Sequence, residues 1–256
     1  MKTILIIWLF LFSLSVFASA QEVRMSKKAS LEQVYGETYK VQKLMSMNEM
    51  SIDFGYVLYE TQIFIYTNDL QLEIENVRDY AAIYVDGKFV GCMTDENKKL
   101  HVQLAPGEHQ LRLYVENIGR ITYGPEIMDN SKGLFGNAFL NGKVIEYWEI
   151  TPLNVRDCQV DKLDFSECKG NTDSCFFKGT FYLDIPHDTH LDMSGWGMGE
   201  IWINGQYAGS YWEESTQLST PILASMLHEG ENDVVIFELK DVEKKIVCFS
   251  DSPVFK

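Results

Sequence analysis

Leu191-Asp-Met-Ser-Gly-Trp-Gly-Met-Gly-Glu-Ile-Trp-Ile-Asn-Gly-Gln-Tyr-Ala-Gly-Ser-Tyr-Trp212 is the stretch whose reading decides the fold. Ile201 and Ile203 alternate with Trp202, the period-two pattern of a strand. Asn204-Gly205 supplies two residues that tolerate a positive φ, as a tight type I′ turn requires. Tyr207 and Ala208 open the return strand. The same hairpin stands earlier in the chain. Ile83-Tyr-Val-Asp-Gly-Lys-Phe-Val-Gly91 matches Ile201-Trp-Ile-Asn-Gly-Gln-Tyr-Ala-Gly209 position by position, 118 residues apart.

Two further landmarks keep that spacing. Tyr56-Val-Leu-Tyr-Glu-Thr61 parallels Cys175-Phe-Phe-Lys-Gly-Thr180 at an offset of 119. Pro106–Val115 parallels Glu229–Glu238 at 123. A period this long indicates a duplicated domain, because solenoids and propellers repeat on a scale of roughly 20–50 residues. Between the landmarks, Leu70-Gln-Leu-Glu-Ile-Glu alternates cleanly, and short β-prone runs with turn signals recur up to Val234–Leu239. Helical periodicity is almost absent, with Pro221–Leu227 as one helical turn or short helix. The expected fold is all-β: two tandem jelly-roll β-sandwiches, residues 46–153 and 154–256, after a leader over 1–20 and a polar, lysine-rich linker over 21–45.

Lys2, the apolar run Thr3–Phe17 and Ala18-Ser19-Ala20 have the form of a cleaved secretory signal peptide. The competing reading is an uncleaved anchor, but the apolar run is shorter than the ~20 residues a span needs. The implied localisation is exported: secreted, periplasmic or lysosomal, with no membrane span after cleavage. The 256-residue chain carries a net charge of −15, and removing the leader takes away Lys2 alone among charged residues, giving −16. Such a chain is repelled by nucleic acid and by anionic membrane. Of the five cysteines, Cys158, Cys168, Cys175 and Cys248 lie in or just before the second module and are disulfide candidates with three pairings open. Cys92 stands apart as a buried thiol. No Cys-x-x-Cys spacing suggests zinc, and no cofactor motif occurs.

These motifs resemble a known family. Asp53-Phe-Gly-Tyr-Val-Leu-Tyr59, Val77-Arg-Asp79, Val115-Glu-Asn-Ile-Gly-Arg-Ile-Thr-Tyr-Gly124, Lys132-Gly133, Leu140-Asn-Gly142, Trp148 and Pro152-Leu153 lie in the first module. Phe181, Asp188-Thr189, Leu191–Gly199, Trp202-Ile-Asn-Gly205 and Tyr211-Trp212 lie in the second. Together they are similar to the C-terminal galactose-binding-like jelly rolls of glycoside hydrolase family 35 β-galactosidases, in family order over about Met45 to Leu239. The family's catalytic glutamates sit on a barrel ahead of these domains, and no segment here resembles that barrel. Hydrolysis of a glycoside needs two carboxylates across the scissile bond, and no glutamate here carries a motif that assigns it. Gly209-Ser210 stands where the family has Gly-Arg, and Glu213–Gln217 replaces its Gly-Pro-Gln segment.

The resemblance implies a role for Tyr123, since the family's tyrosine in Gly-Arg-x-x-Tyr-Gly reaches toward the barrel's sugar pocket. Tyr123 with Arg120 is therefore a candidate ligand site, against the plainer reading of a turn tyrosine. Trp196, Trp202, Tyr211 and Trp212 gather around the second hairpin. If Trp202 faces outward, opposite the isoleucines, then Trp202 and Tyr211 offer stacking faces while Glu200 and Asn204 take sugar hydroxyls. The plainer reading is core packing. Asp184, His187, Asp188, His190 and Asp192 form an acidic-histidine cluster that is read as ordinary sequence rather than a metal site. The functional alternatives are an exported, non-catalytic glycan-binding or partner-docking module, the C-terminal part of a split or truncated β-galactosidase, and a remnant with no ligand. The implied partners are a galactose-containing glycan or a glycoside hydrolase barrel.

Overall fold

The computed structural model describes residues 21–120, 122–167, 174–240 and 245–256; the segment read as a leader, 1–20, lies outside them. In chain order the strands are β1 (Glu22–Ser30), β2 (Tyr39–Val41), β3 (Gly55–Ile65), β4 (Asp69–Arg78), β5 (Tyr80–Val85), β6 (Lys88–Thr94), β7 (Lys99–Gln103), β8 (Gly107–Asn117), β9 (Gly133–Leu140), β10 (Lys143–Val144), β11 (Trp148–Leu153), β12 (Ser166–Glu167), β13 (Cys175–Leu183), β14 (Thr189–Asp192), β15 (Met198–Ile203), β16 (Gln206–Trp212), β17 (Ser219–Ile222), β18 (Gly230–Glu238) and β19 (Ile246–Ser250). The helical segments among the described residues are short 3-10 turns, one of them over Ala224–Met226 where a helical turn is expected. The fold is all-β, as the turn spacing predicts.

The two hairpins match at the level of the backbone. Asp86-Gly87 and Asn204-Gly205 take φ values of 49°, 72° and 50°, 75°, the all-positive pair of a type I′ turn. Ile83 faces Gly91 and Ile201 faces Gly209, and each pairing then slips by one residue, between Ile83 and Tyr84 and between Ile201 and Trp202. The duplication therefore extends to a shared bulge position.

In the first sandwich a sheet of order β10-β9-β4-β7 faces one of order β2-β11-β3-β8-β5-β6. Leu72, Ile74, Val77, Ile83, Leu113, Leu134 and Trp148 fill the space between them. The second sandwich runs β16-β15-β18-β13-β1-β19-β14-β17 and encloses Val23, Leu191, Trp196, Ile201, Ile203, Ile236 and Val247. Its two layers are joined through β1. Glu22–Arg24 pair with β19, whereas Met25–Ser30 pair with β13, and the register slips between Met25 and Lys27. A bulge of this kind lets one strand turn a corner from one layer to the other.

That finding corrects the expectation of a linker over 21–45. Residues 22–30 are a strand in the middle of the second sandwich, and Tyr39–Val41 pairs with β11 at the edge of the first. The local signal is faint because Val23 and Met25 are the apolar members of an otherwise charged run, and the strand forms by pairing with β13 and β19, far away in sequence.

A third apolar cluster lies between the sandwiches. Tyr56, Leu58, Ala82, Tyr84 and Tyr114 from the first pack against Phe176, Met198, Trp202, Val235 and Phe237 from the second. Tyr84 and Trp202 hold equivalent places in the two hairpins, so the repeats bury the same outer face against each other. Every residue of β5 and β15 is buried as a result.

Candidate functional site

At the rim of this inter-sandwich core two carboxylates converge on one hydroxyl. Tyr56 Oη stands 2.9 Å from Glu200 Oε1 and 3.1 Å from Glu116 Oε1. Tyr56 is the second residue of β3 and Glu116 the last but one of β8, and the register sets the two side by side. Glu200 comes across from β15. Arg156 Nε donates to Glu200 Oε1 at 2.8 Å, and the Tyr207 hydroxyl donates to Glu200 Oε2 at 2.7 Å. Glu200 is fully buried, so Arg156 supplies the countercharge that such burial demands.

Glu116 has no such cation in contact, and its Oε2 is buried without a hydrogen-bond partner among the described residues. Burial, with the Glu200 charge adding to it, pushes its pKa up to about 7. One tyrosine O–H hydrogen serves one acceptor. The chain of contacts is complete when Glu116 carries a proton and donates to Tyr56, which donates to Glu200. No sequence motif pairs the two glutamates; their meeting depends on contact between the repeats. The arrangement holds a proton, but it lies closed between the sandwiches rather than across an open cleft.

The proposed sugar face of the second hairpin is corrected by burial. Trp202 is 2% exposed and packs on Phe176 and Tyr207, so it does not face outward. Alternation with Ile201 and Ile203 correctly sets it on the opposite side of the strand; the first sandwich covers that side. Tyr211 is buried too, its hydroxyl 3.0 Å from Phe237 O and 3.2 Å from Glu238 Oε2. Asn204 holds the turn in place: its Nδ2 donates to Met226 O and Asn232 Oδ1, and its Oδ1 accepts from Asp233 N. Glu200 is taken up by the cluster above. None of the four offers a sugar an open face. Trp196 is buried in the second core, and Trp212 is partly exposed.

Arg120 and Tyr123 lie on the loop that leaves β8, and both are exposed. Tyr123 is 92% exposed, as is Met128 on the same loop, and Ile118 is also open. The loop base is pinned: Ile118 N donates to Asp79 Oδ2 and Gly119 N to Asn117 Oδ1. Lys132 Nζ, itself buried, holds Asp79 at 2.5 and 2.7 Å. Gly119 lies against Phe54, whose ring is covered by the Arg156 guanidinium at 4.0 Å, with Tyr207 on from there at 5.1 Å. One surface thus runs from the Tyr123 loop through Phe54 and Arg156 to Tyr207, and crosses from the first sandwich to the second. Phe54, Arg156 and Tyr207 were missed by motif reading because they lie far apart in sequence.

Cys168 lies outside the described residues, and no disulfide joins two of the described cysteines. Cys158 Sγ donates to Val155 O. In the acidic-histidine cluster Asp188 accepts from Ala224 N and Asp192 from Ser194 N, which are structural turn bonds. Among the described residues, no group of three or more His, Cys, Asp or Glu side chains is arranged to hold a metal ion, and no helix is long and apolar enough to cross a membrane.

Comparison with known proteins follows the two sandwiches. Residues 45–154 match the family described as the first all-β domain of β-galactosidase, and residues 174–232 match the β-galactosidase galactose-binding domain. The human β-galactosidase-1-like protein 2 is 30% identical over 79% of this chain and 33% of its own length. The β-galactosidase of Xanthomonas manihotis is 34% identical over 67% and 28%, and that of Bos taurus 30% identical over 79% and 36%. The chain thus spans about a third of the length of these relatives. By the sequence of both segments, which together make up more than half of the chain, it belongs to the family of β-galactosidase all-β and galactose-binding domains.

Proposed function

We propose that this chain is an exported accessory module of a β-galactosidase in glycan degradation, without hydrolytic activity of its own, and that it docks on a catalytic barrel through the Tyr123 face. The observation that carries this reading is the loop after β8, which holds Ile118, Tyr123 and Met128 open to solvent and whose Gly119 lies against Phe54. Apolar side chains grouped on a pinned loop are characteristic of a binding surface. Tyr123 would enter the barrel's mouth and there touch a galactose-containing glycan, with Arg120 beside it. The same face serves whether module and barrel are separate chains or parts of one polypeptide, which is the alternative suggested by the one-third span of the relatives. The absence of intrinsic turnover follows from Glu116 and Glu200 being closed off between the sandwiches.

The experiment is calorimetry with a β-galactosidase barrel prepared without its own all-β domains. Binding is expected, with a loss of at least tenfold in a Tyr123→Ala, Met128→Ala double variant. No binding by the wild type refutes the docking. Turnover of an aryl β-galactoside by the chain alone refutes the non-catalytic part.

A further inference from the structure

The far end of β3 carries a second constellation. Pairing of β11 with β3 stops at Glu60, while β3 continues to Ile65 against β8 alone. Beyond Glu60 the β9–β10 hairpin leans toward β3, and a cleft of about 600 Å³ opens between them. That volume lies within the usual range for a small-molecule site. Gln62 and Phe64 share the outer face of β3, and Tyr66 follows just past its end, 76% exposed. The Phe64 and Tyr66 rings lie 4.7 Å apart, inclined at 56°. Lys143 Nζ sits 5.6 Å from the Tyr66 ring centre. The hairpin turn is fixed by Asn141, whose Oδ1 accepts from Gln71 N and whose Nδ2 donates to Asp69 O. The cleft is therefore shaped before anything enters it.

A neighbouring cleft of about 320 Å³ shares the connection between β10 and β11. Ile145 and Glu146 line the first cleft, Tyr147 and Trp148 the second. Tyr147 has a φ of 66°, a left-handed conformation that a bulky side chain rarely adopts. Its N donates to Gln42 O and its carbonyl accepts from Thr61 Oγ1, which hold it there. Its ring is nonetheless 72% exposed, so core packing does not explain the strained backbone. Backbone strain that aims an aromatic ring into solvent is a mark of a functional position.

The geometry points to a groove for a neutral oligosaccharide, running from Phe64 and Tyr66 past the 145–147 connection to Tyr147. Sugar rings present C–H faces that pack on aromatic rings and hydroxyls that pair with amides and carboxylates. The groove has both: three open aromatic rings, and beside them Gln62, Gln71, Asp69 and Glu146. The amides of Gln62 and Gln71 have no partner among the described residues. A peptide strand fits less well, since β3 is open over a few residues only, short for a paired strand. The groove stands apart from the docking face. Gly55 beside the Tyr123 loop and Ile65 beside the groove are ten residues apart on one strand, roughly 33 Å.

The test uses the folded full chain with β-1,4-galactotetraose, cellotetraose and xylotetraose, followed by saturation-transfer NMR and calorimetry. At least one tetraose is expected to bind, with a dissociation constant on the order of 10 μM to 1 mM. Tyr66→Ala is expected to weaken it at least tenfold. Tyr147→Ala is expected to weaken the tetraose at least threefold while leaving the matching disaccharide unchanged. Ile185→Ala, at an exposed position outside both sites, should leave all of these values unchanged, and no barrel is present in these titrations, so failure of barrel docking and failure of the groove are separate results. No saturation transfer from any of the three, or an unchanged affinity in folded Tyr66→Ala, overturns the proposal. Equal losses for tetraose and disaccharide in Tyr147→Ala overturn the extended groove.

Discussion

Glu116 links pH to the joint between the sandwiches. Its carboxyl is buried, beside Glu200, with one oxygen unpartnered, and its pKa rises from 4.5 to about 7. A raised carboxyl pKa means that the folded chain holds this proton more tightly than the unfolded chain does. The resulting stability is fully present below the unfolded value near 4.5 and is lost as pH rises through about 7. A shift of this size corresponds to about 3 kcal/mol at roughly 1.4 kcal/mol per unit. Glutamine mimics the protonated form: its Nε2 keeps a donor for the Tyr56 hydroxyl and carries no charge. Glu116→Gln should therefore match the wild type at pH 4.5 and exceed it by about 3 kcal/mol at pH 8. For a protein of this size that is roughly 6–12 °C in melting temperature. Differential scanning calorimetry of both proteins at each pH measures the difference between them, which cancels every other titrating group. A difference that stays constant from pH 4.5 to 8, or a variant less stable at pH 8, would refute the account of a proton held between Glu116, Tyr56 and Glu200.

Other consequences follow from the packing. Trp202→Ala removes a buried ring from the inter-sandwich core and should cost about 3–5 kcal/mol, measured by urea unfolding; a cost below about 1 kcal/mol would mean that the two repeats do not lean on each other there. A Cβ on Gly199 would sit 1.8 Å from Phe237 O, so Gly199→Ala should destabilise by at least about 3 kcal/mol or prevent soluble expression. Deleting residues 22–29 should unfold the second sandwich, because β13 and β19 lose their shared neighbour; circular dichroism and proteolysis would detect this, and an intact fold would return that segment to the status of a linker. Glu238 is a second buried carboxyl pushed up to about 7, held by Gly197, Met198 and Lys240 backbone amides and Tyr211. Both Glu238 oxygens accept from backbone N–H groups, and the Nε2 of a glutamine has no acceptor to offer them, so Glu238→Gln should destabilise at pH 8, in contrast to Glu116→Gln, and a stabilisation would contradict the role of the amides.

Local chemistry determined a great deal by itself. Asp86-Gly87 and Asn204-Gly205 admit the positive φ pair of a tight hairpin, and the flanking apolar alternation commits those segments to strands. Repetition of that signal, with two more landmarks at nearly the same spacing, is enough to give two β modules, and the motifs around them carry the resemblance to the family. Gly199, the last residue of the Leu191–Gly199 motif, has a structural reason: Phe237 O leaves no space for a side chain. Other features were decided by tertiary structure. Period-two alternation tells which residues share a face of a strand, but carries no information about what covers that face. Trp202 was therefore assigned the correct side and the wrong surroundings, since Tyr84 and its neighbours close over it. β1 is similar: Val23 and Met25 have little local signal, and their strand exists because β13 and β19, more than 140 residues on, offer open edges on either side. The Glu116–Tyr56–Glu200 contact and the Phe54–Arg156–Tyr207 surface arise where one repeat meets the other. Such contacts are set by the docking of whole surfaces, so no window of sequence contains them.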